Sequence, residues 1–467
     1  MNERLTILCG DALEKLRELP EKSVHCCVTS PPYWGLRDYK VPPTNWQEVI
    51  YKPMPGLPQL TIPALTCCLG DEPTPEAFTG HLVLVFREVW RVLRDDGTFW
   101  LNLGDSYANT NRGHNSNGAG NLTGSNLKNK LAAAQNRSTT IPEGLKPKDL
   151  IGIPWRIALA LQADGWYLRS DIIWAKRNCM PESVTDRPTR SHEFLFLLTK
   201  SERYFYDAEA IKEPCIYDVD GPGTAARKAR ATGNKLLPTG EINGIRPAKR
   251  HQLFPRDHPE TSLNSKFSGA DKQRGHSRRH DGFNGRWDAM EKEEQCTGMR
   301  NKRDVWTIGP ANYPEAHFAT YPPKLIEPCI LAGTSAKGCC PSCGAPWERV
   351  VEKSGERDCH SGNKKFSELT KTRRGEKSLE SSFFKDGKVG TFETTGWQPT
   401  CDCNSGLRTQ DSGLLTPCTV LDPFGGSGTT PAVALSHGRA AIVIELNPNY
   451  IPLIEARTNI TPGLALA

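Results

Sequence analysis

Near the C-terminus a short apolar strand, Val420-Leu421, runs into Asp422-Pro423-Phe424-Gly425-Gly426-Ser427-Gly428, then a helix from about Thr430, then a strand from Ala441 to Glu445. Strand, Gly-X-Gly turn and helix N-terminus in that order bring backbone N–H groups up to a ligand, and an acidic residue after the next strand can hold ribose hydroxyls. Glu445, 20 residues after Gly425, suits that second role. The turn stops short of the dinucleotide fingerprint, because Thr430-Pro431 stands where a third glycine would be, and there is no P-loop lysine. A nucleoside without a pyrophosphate, such as S-adenosylmethionine, fits better than NAD or ATP. Taken alone, the glycines equally suit a tight turn with no ligand.

The first hundred residues continue the α/β theme. Leu5 to Leu8 is a short strand ending at Gly10-Asp11, and Leu13, Leu16 and Leu19 follow at helical spacing. Val24 to Thr29 is a second apolar run, stopped by Ser30-Pro31-Pro32-Tyr33. Two prolines cannot donate to a strand ladder, so the tetrapeptide sits on a loop at a strand's C-terminal end. A helix carrying Leu82, Phe86, Val89 and Leu93 is expected to close at Asp95-Asp96-Gly97 before a strand from Thr98 to Leu103. Ile153 to Leu161 reads as helix and Tyr167 to Trp174 as strand.

The Ser-Pro-Pro-Tyr loop has the chemistry of an amine site. An amino group conjugated to a heteroaromatic ring is a poor nucleophile because its lone pair is delocalised. The Ser30 hydroxyl and Pro31 carbonyl can accept its two hydrogens and draw the nitrogen towards tetrahedral geometry, so that the lone pair points at a sulfonium methyl. Tyr33, with Trp34 beside it, offers a ring on which an extruded base can stack. Pro31 and Pro32 keep the loop stiff before substrate arrives. By itself the tetrapeptide is also an ordinary proline turn.

Together the two motifs resemble the amino-methyltransferases of DNA, the N4-cytosine and N6-adenine family. Thr29 to Trp34 is similar to the family's catalytic motif, and Leu421 to Thr430 to its cofactor motif. Gly10-Asp11-Ala12-Leu13 resembles the motif whose acid contacts the cofactor's adenine. His317 to Ile326 resembles the segment that bounds the methionine pocket, with Phe318 and Pro322 as its contacts, and Arg190 to Lys200 a segment near the base pocket. Catalytic loop first and cofactor turn last is the arrangement of the beta class. The resemblance therefore implies a Rossmann-like S-adenosylmethionine-dependent α/β sheet in circularly permuted motif order. It implies catalytic Ser30, Pro31, Pro32 and Tyr33, and a cofactor held by Asp11, Phe318, Pro322, Asp422, Pro423, Phe424, Gly425, Gly426, Ser427, Gly428, Thr429 and Glu445. Ser as the first motif residue favours cytosine N4 over adenine N6. A more remote alternative is a DNA-binding protein of this fold without activity. Methylation at cytosine C5 would need a nucleophilic cysteine, but the Pro-Cys pairs at 214–215, 328–329 and 417–418 lack supporting motifs.

Charge points to the partner. Between Gly221 and Asp304 there are 18 Lys/Arg and 10 Asp/Glu, an excess of +8 against +6 for the whole chain, so the remainder sums to −2. Positive charge gathered in one segment suits phosphates and double-stranded DNA. No apolar run approaches the roughly 20 residues that span a bilayer, and Met1 to Leu5 does not begin an export signal, so a cytoplasmic setting is expected. Cys340-Pro-Ser-Cys343 is a metal-knuckle spacing, and Cys401-Asp-Cys403 supplies two further thiols, which together predict a structural zinc. Cys339, Cys359, His360 and Cys418 are possible substitutes. The expected organisation is 1–220 as the catalytic half, with a flexible polar loop at about 105–145, then a basic insertion over 221–305 for target recognition. Residues 306–335 bound the cofactor pocket, 336–418 form a zinc-ribbon-like insertion, and 419–467 form the cofactor-binding half.

Overall fold

The computed structural model describes residues 4–35, 41–108, 141–179, 181–214, 299–310, 321–358, 388–403 and 415–459. The chain divides into two compact units. The first comprises residues 1–212, 301–352 and 394–467, and the second 213–300 and 353–393. Of the second unit, the described residues include two short antiparallel strands, Glu213–Pro214 and Met299–Arg300, joined by an Arg300–Glu213 ion pair at 2.9 Å. Most of the expected basic insertion, and all of 109–140 within the expected polar loop, lie outside the described residues.

The first unit is built on one eight-stranded sheet. Its strands are β1 (Leu5–Cys9), β2 (Val24–Thr29), β3 (Leu93–Leu103), β4 (Tyr167–Ala175), β5 (His192–Thr199), β6 (Val305–Thr307), β7 (Thr419–Asp422) and β8 (Ala440–Glu445). Their spatial order is β1-β8-β7-β2-β3-β5-β4-β6. All run parallel except β5, which is antiparallel to both neighbours. The helices are α1 (Ala12–Glu18), α2 (Pro75–Val92), α3 (Ile153–Ala163), α4 (Pro323–Gly333), α5 (Thr429–Ser436) and α6 (Ile451–Thr458). Among the described residues no helix is long and apolar enough to cross a membrane.

Both faces of the sheet are covered, which explains why β2 is buried at all six positions instead of alternating. Cys27, Phe99, Leu101 and Phe196 pack with α1, α2 and α3 through Leu16, Phe86 and Ile157. Cys26, Val28, Trp100 and Leu197 point the other way, against Leu325, Ile330 and Val433 of α4 and α5. Helix α2 begins where its sequence says it should. Thr74 caps it by accepting from the Ala77 N–H (3.1 Å), Pro75 occupies the first turn, and Arg91 lies in the last.

Helix α2 ends earlier than the spacing predicts. Leu93 already has extended dihedrals and opens β3, so Asp95-Asp96-Gly97 is a kink inside a strand instead of a helix terminator. Its two acids are held by ion pairs, Lys22–Asp95 at 2.6 Å and Arg94–Asp96 at 2.8 Å, and the β2–β3 register shifts there. Two nested antiparallel pairs, Thr44–Trp46 with Leu65–Cys67 and Val49–Tyr51 with Leu60–Ile62, are strands too short for periodicity to reveal.

Because β1, β8, β7, β2 and β3 are parallel neighbours, the loops that follow them emerge at one edge. Cys9 is in register with Glu445, and Leu421 with Cys27. The sheet thereby sets Gly10-Asp11, Glu445, the glycine turn and Ser30-Pro31-Pro32-Tyr33 side by side, at the carboxyl ends of strands where open α/β sheets bind ligands.

Candidate active site

Asp422 joins the two motifs. It is 1% exposed. Its Oδ1 accepts from Thr29 Oγ1 (2.6 Å) and the Phe424 N–H (3.1 Å), and its Oδ2 from Thr430 Oγ1 (2.7 Å) and the Tyr321 hydroxyl (3.0 Å). Four donors fill the acceptor sites of one carboxylate. Burial nevertheless holds its pKa above the ordinary carboxylate value, the donors from Thr29, Thr430, Phe424 and Tyr321 opposing that rise. Asp422 thus ties the end of β2, the start of α5 and the segment before α4 into one unit, and its place in the cofactor turn is that of a clasp.

The turn itself lies tight on the sheet. A Cβ on Gly425 would come within 2.2 Å of Val443 Cγ2, so only glycine lets this backbone sit there. The Gly425 N–H donates to Ile444 O (2.8 Å), and the Gly428 N–H to Gly425 O (2.9 Å). Ser427 is buried and accepts from Arg457 (2.7 Å), while Thr429 opens α5. Pro423 and Phe424 form the bend between clasp and glycines.

Glu445 stands at the neighbouring strand end. Its Oε2 accepts from the Gly426 N–H (2.7 Å) and its Oε1 from the Asn447 N–H (2.8 Å). Each oxygen keeps a further lone pair for a hydroxyl. Burial pushes its pKa up to about 7, against the pull of the two N–H donors. Asp11 lies beside it, the Gly10 N–H reaching Glu445 O at 3.0 Å. The Asp11 carboxylate caps α1 through the N–H groups of Leu13 and Glu14 and accepts from Thr44 Oγ1 (2.8 Å). Pro322 is buried at the start of α4, next to Tyr321; Phe318 lies outside the described residues.

The Ser-Pro-Pro-Tyr loop is held in one hydrogen-bonded chain. Ser30 Oγ donates to the Tyr33 hydroxyl (3.3 Å), which donates to Glu193 Oε2 (2.8 Å) with Asn102 Oδ1 at 3.1 Å as a second acceptor. Asn102 is fixed in turn, its amide donating to Phe194 O (3.0 Å). Lys176 pairs with the other oxygen of Glu193. Since the one hydrogen of Ser30 is directed at Tyr33, its lone pairs remain to accept. Gly104 makes room for the Tyr33 ring: a Cβ there would be 2.5 Å from Cε2. Trp34 is not a stacking platform. It is 2% exposed, and its indole N–H donates to Glu72 O (3.0 Å), which anchors the far end of the loop.

Thr29, Glu193 and Tyr321 fall within segments that resemble family motifs but carried no individual role, and Asn102 was not singled out from the sequence. Asn102 left a trace as a lone polar residue within the apolar run Phe99 to Leu103, whereas Glu193 stands among polar residues at the head of its run. What they face depends on β3 and β5 being neighbours, which no local pattern states.

The cysteines gather at a different place. The thiol sulfurs of Cys340, Cys343, Cys401 and Cys403 all lie within 4.8 Å of one another. Burial raises the Cys340 pKa, but the Cys343 and Ser342 N–H groups and the thiols of Cys343 and Cys401 outweigh it, bringing it down to about 7. Of the possible substitutes, Cys339 and Cys418 lie with His25 in a separate buried cluster, and Cys359 and His360 lie outside the described residues.

The sheet clasps the glycine turn to the Ser-Pro-Pro-Tyr loop, the two motifs by which the chain resembles the amino-methyltransferases of DNA. The family model for DNA methylases matches residues 24–340 and 418–456, and so passes over most of the cysteine insertion. The type II methyltransferase M.Cfr9I of Citrobacter freundii is 40% identical over 329 residues, 70% of this chain and 72% of the relative. M.SmaI of Serratia marcescens is 36% identical over 371 residues, 79% of this chain and 89% of the relative. Among solved structures, the cytosine-N4-specific PvuII DNA methyltransferase aligns over 99% of this chain and 89% of that one, at 13% identity and a TM-score of 0.40, too distant to bear on the reading. The chain belongs to the N6/N4 DNA methylase family and is an S-adenosylmethionine-dependent DNA amino-methyltransferase.

Proposed function

We propose that this protein methylates the N4 amino group of a cytosine flipped out of double-stranded DNA, as the modification enzyme of a type II system. The observation that supports an amine substrate most directly is the committed Ser30 hydrogen. With that hydrogen on Tyr33, Ser30 Oγ acts as an acceptor for the base's amino group, and the Pro31 carbonyl takes the second amino hydrogen. S-adenosylmethionine, when bound, supplies an electrophilic methyl on a sulfonium. The glycine turn, with Ser427 and Thr429, would receive its methionine end, Glu445 would accept from the ribose hydroxyls, and Asp11 would lie on the adenine side. Phe318 and Pro322 are assigned to the wall of this pocket from their motif. The Thr29–Asp422 bond fixes the distance between amine site and methyl donor, the alignment that makes a direct transfer fast. No covalent enzyme intermediate is required.

The choice of cytosine rests on Ser30 as the first motif residue, and that of circular permutation on catalytic loop preceding cofactor turn. The basic run 221–305, of which 299–305 is described, is assigned to target recognition on its charge. Four clustered thiols with backbone N–H groups directed at Cys340 suit a closed tetrahedral zinc site. Cys340, Cys343, Cys401 and Cys403 would hold the ion, which would stabilise the insertion and take no part in transfer.

Mass spectrometry of nucleosides from unmethylated DNA incubated with the protein and S-adenosylmethionine tests the choice of base. N4-methylcytosine is expected. Finding N6-methyladenine alone would reassign the substrate within the same chemistry.

A further inference from the structure

Direct transfer leaves one proton unaccounted for. When the amine lone pair forms the new N–C bond, the S–C bond breaks with its electrons kept by sulfur. The nitrogen then carries a positive charge and one hydrogen too many. The loop offers a route for that hydrogen. Ser30 Oγ donates to Tyr33 Oη, Tyr33 Oη donates to Glu193 Oε2, and every donor in the series points the same way, towards a group that only accepts. Lys176 holds the other Glu193 oxygen, and the Glu193 side chain is 14% exposed.

We propose that Ser30, Tyr33 and Glu193 form a proton relay that removes the amino hydrogen during methyl transfer, with Glu193 as its terminal base. The inference rests on the amine-transfer reading and extends it. As the N–C bond forms, the amino hydrogen passes to Ser30 Oγ, the Ser30 hydrogen to Tyr33 Oη, and the Tyr33 hydrogen to the Glu193 carboxylate. Both hydroxyls are neutral again at the end, the methylated amine is neutral, and Glu193 is protonated until it releases the proton to water. No oxidant or further reactant enters. Asn102 Oδ1, the second acceptor near Tyr33, steadies the ring but cannot take up a proton at neutral pH. The titratable groups nearest Glu193 are Lys176, the residue just past the end of β4, which pairs with it, and His192 at the start of β5, whose pKa is lowered by burial and by Arg190; Asp105 faces Arg190 at 3.7 Å. Lys176, opposite the acceptor oxygen, restores the ion pair once the proton has left.

Glu193→Gln separates relay from scaffold, because the amide oxygen can still accept from Tyr33 but has no useful basicity. Single-turnover transfer of radiolabelled methyl from S-adenosylmethionine to unmethylated DNA is measured across pH in H2O and D2O. Calorimetric S-adenosylmethionine affinity serves as the folding check. The expected result is a loss of about 100-fold in the transfer rate of Glu193→Gln at unchanged cofactor affinity. The solvent isotope effect expected of the wild type should be lost with it. Tyr33→Phe, which keeps the ring and removes the relay hydroxyl, should lose a similar factor, and the double variant little more. A Glu193→Gln rate within about twofold of wild type, or a slow variant that retains the wild-type isotope effect, overturns the relay. A wild type that binds S-adenosylmethionine and transfers no methyl to DNA overturns the amine-transfer reading itself.

Discussion

The two ends of the same strands are built on opposite principles. At the carboxyl edge, β2 and β8 deliver groups with acceptor capacity left over, namely Ser30 Oγ and the Glu445 carboxylate. At the amino edge, the starts of β2, β3 and β7 grip the cysteine knuckle and leave little unused. His25 accepts the Thr419 N–H on Nδ1 (3.0 Å), which puts its hydrogen on Nε2, and that hydrogen meets Gly344 O at 2.8 Å. Arg94 donates to Cys343 O (2.7 Å), and Cys339 exchanges backbone hydrogen bonds with Thr416 at the foot of the insertion. An edge that spends its polar groups internally holds structure, whereas one that keeps lone pairs free waits for a ligand.

The harshest test of that contrast is Asp422→Asn, because Asp422 is the one carboxyl-edge group whose acceptor sites are full. The amide must present its NH2 to one pair of donors: turned to Thr29 and Phe424 it meets a backbone N–H that cannot accept, and turned to Thr430 and Tyr321 it makes both hydroxyls reverse and give up their donations, at a cost of about 1–3 kcal/mol. Either arrangement loosens one arm of the clasp that joins the end of β2, the glycine turn and the segment before α4. Denaturant midpoints should fall, and single-turnover methyl transfer should drop by about 100-fold or more. Full activity in a destabilised variant would show that Asp422 is merely structural and would remove the distinction between clasp and scaffold.

At the amino edge stability and chemistry should come apart. Cys343→Ser, or zinc chelation, is expected to destabilise by about 2–3 kcal/mol, lowering Tm by roughly 4–10 °C. Below that Tm the affinity for S-adenosylmethionine and the transfer rate should stay within about twofold of wild type, the range of an uncoupled site. Elemental analysis should find one zinc per chain in the wild type and little in the variant. A selective loss of transfer at full stability would instead place the knuckle within the active site.

How much of this was legible beforehand follows the range of the interactions. The spans of β2, α3 and β8 came within a residue or two of their sequence patterns, because an apolar run and its proline or glycine stop are local. The turn and the Ser-Pro-Pro-Tyr loop were legible for the same reason. What joins them was not: Thr29 and Asp422 lie 393 positions apart, and their 2.6 Å contact exists only because β2 and β7 are neighbours in the sheet. Trp34 was misjudged because an aromatic next to Tyr33 looks exposed on a loop, whereas Glu72 and the preceding turn bury it. The strand β5 that carries Glu193 reads as an apolar run, with nothing local to say that it runs against its neighbours.

The mildest test concerns pH and Glu445. Its pKa, raised to about 7 mainly by burial, puts its ionisation in the assay range, and an ionised carboxylate accepts from ribose hydroxyls better than a protonated one. Affinity for S-adenosylmethionine should therefore weaken as pH falls through 7, by about tenfold at one to two units below the affinity plateau. The slope for the free protein runs the other way. Below the ordinary carboxylate range both folded and unfolded chains hold this proton; between that range and about 7 the folded chain holds it and the unfolded chain does not, so this group's contribution to stability declines as pH rises. Calorimetric titration at pH 6, 7 and 8 follows the first slope and chemical denaturation the second. Glu445→Gln should flatten both, whereas Cys343→Ser, at the other edge, should leave the binding slope as in the wild type. A pH dependence that survives Glu445→Gln would move the titrating group elsewhere on the carboxyl edge and leave the ribose without its assigned acceptor.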